Sequence, residues 1–198
     1  MSKSVQRFRA IDITYVAMFA ALMAIGANVT SIIMIGPVPL TLQTFFAILA
    51  GALLGAKLGS ISMLVYTFIG LIGVPVFAQM HGGLATLARP TFGFIISFII
   101  LAYVTGKIIE AKAKPTLTTF FIACFVGLAL NYVIGTTYMF FSLKYFLGMS
   151  ELTYVSAWKM MQVFLIKDIG VTILAALMCP RIYQSVRKTS LRSSATAA

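Results

Sequence analysis

Residues 91–109, TFGFIISFIILAYVTGKII, decide the structural class of this chain. The run carries one charged residue, Lys107, close to its end. A bilayer core about 30 Å thick is crossed by a helix of about 20 apolar residues, so this run is interpreted as a transmembrane helix. The whole chain agrees: 61% of its 198 residues are hydrophobic and 10% are charged, whereas a soluble domain is nearer half apolar and a quarter charged. A soluble globular domain is therefore excluded.

Five further apolar stretches flank this run on both sides. A signal peptide is the competing interpretation of the first stretch, but its apolar run is longer than an h-region and further spans follow it. The second and third stretches are separated only by the corner GAKLG at 55–59. We predict one all-α membrane domain over residues 1–198 with six transmembrane helices, at 11–29, 41–56, 58–77, 91–109, 116–146 and 155–183, and a polar cytoplasmic tail at 184–198.

The basic residues indicate the orientation of the chain. Lys and Arg number 15 against 4 Asp and Glu, giving a formal net charge of +11. Eleven of the 15 lie in the N-terminal tail, at Lys57, between the fourth and fifth predicted spans, and at the C-terminal end. The positive-inside rule therefore places both termini in the cytoplasm. Basic residues on that side suit anionic headgroups of the lipid bilayer, so the charge needs no nucleic acid as a partner.

Residues that could form a catalytic or metal centre are scarce. The one histidine, His81, lies in a loop without a nucleophile-elbow sequence, and we assign it no role. Cys124 and Cys179 lie inside predicted spans, which favours buried thiols over a metal site or a disulfide. The stretch 51–57 lacks the spacing of a Walker A motif. We predict no enzyme, no metal and no cofactor, so any uphill transport must use an ion gradient or another subunit.

Polar residues at membrane depth are the strongest functional signal. Lys167 and Asp168 lie about ten residues, or roughly 15 Å, inside the last span, and such residues usually mark a ligand site or an ion pathway. One alternative is that they neutralise other buried groups; neighbours in a helix point about 100° apart, so we expect them not to satisfy each other. A proton or sodium relay is another, although no second acid is embedded. On the fifth span, Asn131 shares a face with Gly135 and Tyr138.

The loops opposite the cytoplasmic side add two candidates. Arg89 is the only Lys, Arg, Asp or Glu in the loop 78–90. It either anchors to lipid headgroups or meets an anionic group of a ligand that enters from outside. Gln43 opens the second span after the uncharged stretch 31–40.

Small residues repeat along the first span. Ala17 and Ala21 form one small-x-x-x-small pair, and Ala20 and Ala24 form another. Such pairs let a second helix approach closely. That helix can belong to this bundle or to a partner protein.

Several motifs resemble those of a known family. The runs VPLTLQT at 38–44, LAGALLG at 49–55 and LIGVPVFA at 71–78 resemble the BioY signature, as do the glycine pair at 82–83 and PTFG at 90–93. BioY proteins are the biotin-binding S components of energy-coupling factor (ECF) transporters. The resemblance implies a prokaryotic plasma-membrane protein that binds biotin from outside. It also implies partners: a transmembrane coupling protein and two ATPases, which hydrolyse ATP in its place.

Biotin presents a cyclic urea, an apolar ring and an anionic tail. We expect Asp168 to accept a urea N–H and Asn131 to pair with the urea. In the family pattern a lysine follows this acid by three residues, where the present chain has Val171; here Lys167 precedes Asp168. The predicted substrate-binding residues are Asp168, Asn131, Lys167, Arg89, Gln43 and Tyr138, and the predicted docking residues for the coupling protein are Ala17, Ala20, Ala21 and Ala24.

Alternatives to this function remain open from the sequence. An S component for thiamin or riboflavin would have the same architecture. An ion-coupled carrier would show an affinity that depends on pH or sodium. A membrane-embedded enzyme is disfavoured by the missing catalytic residues.

Overall fold

The computed structural model describes residues 9–35 and 38–196, with side chains as far as Ser185. Lys3 and Arg7, which contribute to the topology prediction, lie outside the described residues. Short 3-10 turns occupy Ala78–Met80 and Leu84–Ala88, and a π-helical turn occupies Ser142–Phe146. The regular elements are α1 (Ala10–Asn28), β1 (Met34–Ile35), β2 (Val38–Pro39), α2 (Gln43–Leu71), α3 (Phe92–Glu110), α4 (Leu117–Phe141) and α5 (Tyr154–Thr196).

In the part of the chain that the structure describes, the regular structure is helical apart from the antiparallel pair β1 and β2. Within the described ranges, 5 helices are long and apolar enough to cross a membrane. The predicted class of all-α membrane protein is confirmed at this level. Where six spans were predicted, α2 takes the place of the second and third.

Helix α2 is interrupted at Gly55, where φ is 83° and ψ is 178°. Gln43 and Tyr66 would lie about 34 Å apart along a straight helix, yet Gln43 Nε2 donates a hydrogen bond of 2.9 Å to the Tyr66 hydroxyl. A Cβ on Gly59 would lie 2.8 Å from the carbonyl oxygen of Ala50. The two parts of α2 therefore lie side by side, and the chain reverses at Gly55.

A carboxylate from the end of α3 stabilises this reversal. Glu110 Oε1 accepts a hydrogen bond of 3.0 Å from the backbone N–H of Ala56, the first residue after the break. Negative charge is favourable at a helix N-terminus because the unpaired N–H groups there carry partial positive charge. A Cβ on Gly55 would collide with the same oxygen, and one on Gly106 would collide with the Ala56 backbone. The corner thus depends on small residues packed backbone to backbone.

Helix α3 lies between α2 and α4, and α1 packs on α2 while α5 packs on α4 and α2. Helix α2 ends at Leu71 rather than at 77, the predicted end of the third span. The helix stops because Gly73 adopts a positive φ of 108° and because Pro75 lacks a backbone N–H. Helix α5 continues to Thr196, beyond the predicted span 155–183.

Replacing Gly55 tests the corner. An alanine there must hold a positive φ and displace Glu110, so we expect Gly55→Ala to lower the free energy of unfolding by about 2 kcal/mol or more. The matched control is Gly170→Ala, because Gly170 lies in α5 with no atom within 4 Å of an added Cβ. Thermal unfolding of both purified variants in detergent measures the difference. Equal midpoints would show that the corner tolerates a side chain.

Candidate functional site

A cavity opens at the end of the bundle where α1 ends and α2 begins. Its walls come from β2, the start of α2, the segment 77–91, the start of α3, and the facing sides of α4 and α5. It encloses about 820 Å³ of free space, counting the part open to solvent. Its polar lining includes Thr41, Gln43, His81, Arg89, Lys167 and Asp168, and its aromatic lining is Phe77, Phe94, Phe98, Tyr132 and Phe164.

Asp168 is the most deeply placed charge of this cavity, with a relative exposure of 5%. Its Oδ2 accepts a hydrogen bond of 2.7 Å from the Tyr132 hydroxyl on α4. Its Oδ1 lies 2.8 Å from Lys167 Nζ, so the two neighbours form an ion pair, yet they do not fully satisfy each other, as expected. That contact lacks the geometry of a hydrogen bond, and Oδ1 receives none from any described residue. Oδ1 thus has unused acceptor capacity in a residue that lines the cavity.

Lys167 also joins two helices across the cavity. Its ammonium donates to the backbone carbonyl of Thr41, just before α2. An ammonium has three N–H donors. One of them is donated to Thr41, and Asp168 is held by charge alone, so donor capacity remains for a ligand acceptor.

Gln43 presents an acceptor to the same space. Its Nε2 donates to Tyr66, whose hydroxyl donates in turn to the Val76 carbonyl at 3.2 Å. The side chain is buried, at 6% exposure. One N–H of the amide is engaged, so the Oε1 acceptor and the second N–H of Gln43 are left for a ligand.

Arg89 stands at the mouth of the cavity. It is exposed and forms no hydrogen bond or ion pair through its guanidinium within the described part of the chain. The backbone holds its position, because its N–H donates to Thr86 and its carbonyl accepts from Phe92. An unpaired guanidinium is suited to a carboxylate, which it can bind with two parallel hydrogen bonds.

Two predicted site residues lie outside the cavity lining. Asn131 is 1% exposed and its Oδ1 accepts a hydrogen bond of 2.6 Å from Ser97, which ties α4 to α3. The Tyr138 hydroxyl donates to the carbonyl of Leu87. Both side chains support the cavity wall from behind, while Gln43, Arg89, Lys167 and Asp168 line it together.

Sequence reasoning missed Tyr132 and gave His81 no role, although both line the cavity. Tyr132 neighbours Asn131, but its side chain points toward Asp168 and its ring packs edge-on against Phe94 at 5.9 Å. No local pattern reveals that contact, because Tyr132 and Asp168 are 36 residues apart. The signal available for His81 was its place beside the glycines 82–83, in a loop whose one charged residue is Arg89.

The segment that carries His81 has an unusual backbone. Gln79 and Met80 both adopt positive φ, at 61° and 56°. For residues other than glycine this conformation costs about 1–3 kcal/mol each and persists only where the surroundings hold it. Gly83 also has a positive φ, of 86°, but it has no side chain to oppose it. The wall formed by residues 78–83 is therefore held in shape by its contacts.

The four candidate docking alanines of α1 divide between two faces. Ala17 and Ala21 are exposed, in line with the exposed Ile13 and Ile25. Ala20 is instead buried in the helical core, and Ala24 packs against that core. The exposed pair alone is accessible to a partner helix.

Comparison with known proteins places the chain in a family. The BioY family model matches residues 1–188. A putative biotin transporter BioYB of Bacillus subtilis is 41% identical, over 93% of this chain and 94% of its own length. A probable biotin transporter BioY of Lysinibacillus sphaericus is 38% identical, over 89% of each chain.

A solved structure shares the fold. The crystal structure of the S component for biotin from an ECF-type ABC transporter superposes with a TM-score of 0.78 at 25% identity, covering 93% of this chain and 95% of that one. Together with the apolar helices, these relatives indicate a multi-pass prokaryotic membrane protein of a transporter family, not an enzyme. The resemblance seen in the sequence motifs is confirmed: the chain belongs to the BioY family.

Proposed function

We propose that this protein is the biotin-binding S component of an ECF-type uptake transporter. One observation carries the proposal: a single cavity holds the ion pair of Lys167 with the buried Asp168 and, at its mouth, the guanidinium of Arg89, which has no partner among the described residues. Between them the lining is largely aromatic. The relatives named above as biotin transporters support biotin as the ligand.

The polar atoms of the cavity complement those of biotin. Asp168 Oδ1 accepts a urea N–H, and a remaining N–H of Lys167 donates to the urea carbonyl. Arg89 binds the carboxylate of the tail, and the Gln43 Oε1 accepts a further N–H. Desolvated hydrogen bonds to charged groups contribute about 1.5–3 kcal/mol each, so a few of them account for tight binding. The aromatic side chains exclude water from the apolar ring.

Asn131 and Tyr138 have a different part in this proposal. Direct contact with biotin remains a prediction from the sequence for both residues. The hydrogen bonds Asn131–Ser97 and Tyr138–Leu87 support a role in holding the wall.

The proposed topology has six crossings with both termini in the cytoplasm. The reversal at Gly55 supports it, since the two parts of α2 lie side by side and run in opposite directions. Glu110 and Lys107 end α3 at this corner, next to Lys57. Lys57 and Lys107, two of the basic residues predicted to be cytoplasmic, thus lie at the end of the bundle opposite the cavity.

The partners in this proposal are a transmembrane coupling protein and two ATPases. Energy for uptake comes from ATP hydrolysis on those chains. The docking surface is the exposed small pair Ala17 and Ala21 on α1. Small residues allow close backbone approach between helices in a membrane, where packing rather than hydrophobicity drives association.

The ligand assignment is tested by equilibrium binding of biotin, thiamin and riboflavin to the purified chain. We expect saturable binding of biotin alone, with an affinity independent of sodium. Binding of thiamin or riboflavin instead would reassign the vitamin. An affinity that requires sodium or a proton would indicate an ion-coupled carrier.

Removing the charge of Asp168 tests the proposed hydrogen bond between Asp168 and the urea of biotin. We expect Asp168→Asn to weaken biotin binding roughly tenfold to hundredfold, because a charge-assisted acceptor is lost while the amide still fits the space. Asn131→Ala should also weaken binding if that side chain positions the wall. Asp12→Asn is the matched control, since Asp12 pairs with Arg9 at the start of α1. Titration calorimetry with biotin measures all three, and wild-type affinity in Asp168→Asn would remove Asp168 from the site.

The proposed contact between Arg89 and the carboxylate of biotin is tested with a ligand that lacks that charge. Arg89→Ala should lower the affinity for biotin at least about tenfold but change the affinity for biotin amide little, because the amide has no carboxylate to lose. Lys144→Ala is the control, since Lys144 lies over the Phe140 ring and outside the cavity lining. Equal losses for both ligands would show that Arg89 shapes the mouth without binding the carboxylate.

A bulky substitution on α1 tests docking to the partner module separately from biotin binding. Ala21→Trp should prevent copurification with the ATPase module and stop uptake, while biotin still binds with wild-type affinity, because Ala21 faces away from the bundle. Leu174→Trp places the same bulk on the exposed face of α5 as a control. Normal complex formation by Ala21→Trp would indicate that this face of α1 contacts lipid and not a partner protein.

A further inference from the structure

Residues 76–81, which we call the strap, form one wall of the cavity. Four of the six line it: Phe77, Ala78, Gln79 and His81. The start of the strap is anchored by Phe77, which is buried and packs against the Tyr66 ring with a centroid distance of 5.4 Å. The tip has no such anchor, because none of residues 78–80 is buried and Met80 is 65% exposed. Apolar packing therefore does not hold the tip.

Hydrogen bonds from the end of α1 hold the tip instead. Asn28 Oδ1 accepts from the Met80 backbone N–H at 2.8 Å, and Ser31 Oγ accepts from the Gln79 N–H at 3.3 Å. Asn28 Nδ2 donates to the Val76 carbonyl at 3.3 Å. These bonds span about 50 residues of sequence.

The bonded residues are the strained ones. Gln79 and Met80 have positive φ, and their two N–H groups are the ones bound by Ser31 and Asn28. A conformation that side chains disfavour persists only when its surroundings hold it. Asn28 at the end of α1 and Ser31 just after it thus supply contacts that hold this part of the wall in place.

We infer that Asn28 is a positioning residue that sets how long the ligand stays in the cavity, by latching the strap. Asn28 does not itself line the cavity. Its amide hydrogen-bonds to two points of the strap: Val76 is the first residue of the strap, and Met80 is the last residue of the tip. The Val76 carbonyl also accepts from Tyr66, the partner of Gln43.

Loss of Asn28 loosens the strap, which keeps its bond to Ser31 and the contact from the Gln79 side chain to Met34. A looser strap lets the ligand leave sooner. The inference rests on the proposed binding of biotin in this cavity.

The test is the dissociation rate of radiolabelled biotin from the purified full chain in nanodiscs, chased with unlabelled biotin. We expect Asn28→Ala to release biotin roughly five- to tenfold faster, because each hydrogen bond contributes modestly and two are lost. Ser31→Ala removes one longer bond and should have a smaller effect in the same direction. Ser60→Ala, which loses a comparable side-chain bond to Lys57 near the Gly55 corner, should release biotin at the wild-type rate.

A second substitution distinguishes latching from general stability. Met80→Gly removes the side chain that opposes the positive φ, so in the Asn28→Ala background it should slow dissociation back toward the wild-type rate. A merely structural Asn28 would lower the fraction of active protein and leave the dissociation rate of bound biotin unchanged. That result, or a failure of Met80→Gly to restore the rate, would overturn the inference. If Asn28→Ala does not fold, a wild-type rate in Ser31→Ala overturns it. Absence of biotin binding by the wild-type chain would instead overturn the proposed function.

Discussion

A bilayer offers no hydrogen bonds to backbone groups, and the architecture of this protein depends on that constraint. Helices satisfy their own N–H and C=O groups, which is why they make up almost all of the described chain. The reversal at Gly55 exposes N–H groups at the start of the second half of α2, and Glu110 supplies the acceptor for Ala56. One carboxylate on α3 thereby allows α2 to fold back and permits a bundle compact enough to enclose a cavity.

The polar side chains of the cavity are subject to the same constraint, because the apolar surroundings offer them no hydrogen bonds. A buried charge in an apolar bundle needs partners, and Asp168 finds two, Lys167 on its own helix and Tyr132 on α4. These contacts leave one carboxylate oxygen without a hydrogen bond among the described residues. The site thus combines a rigid frame with unused hydrogen-bonding capacity, which is what selective binding of a small polar ligand requires.

The sequence was most informative where the type of a single residue indicates its functional role. Asp168 stood out because acids are scarce and this one lies deep, and the structure places it at the cavity. Arg89 and Gln43 were selected for similar reasons. Asn131 and Tyr138 were chosen because they share a helix face, yet their partners Ser97 and Leu87 lie on segments far away in sequence. Periodicity shows that a side chain faces inward, but not whether it meets a ligand or a neighbouring helix.

By itself the sequence determined the membrane class, the approximate positions of the helices and the family. The length of an apolar run, the scarcity of charged residues and a local motif can each be recognised from contiguous residues. Only the tertiary structure decided that Ala17 and Ala21 face outward while Ala20 packs inward. It also decided that Tyr132 meets Asp168 and that the end of α1 holds the strap. The physical reason is that such contacts join residues distant along the chain, and their geometry exists only once the helices have packed.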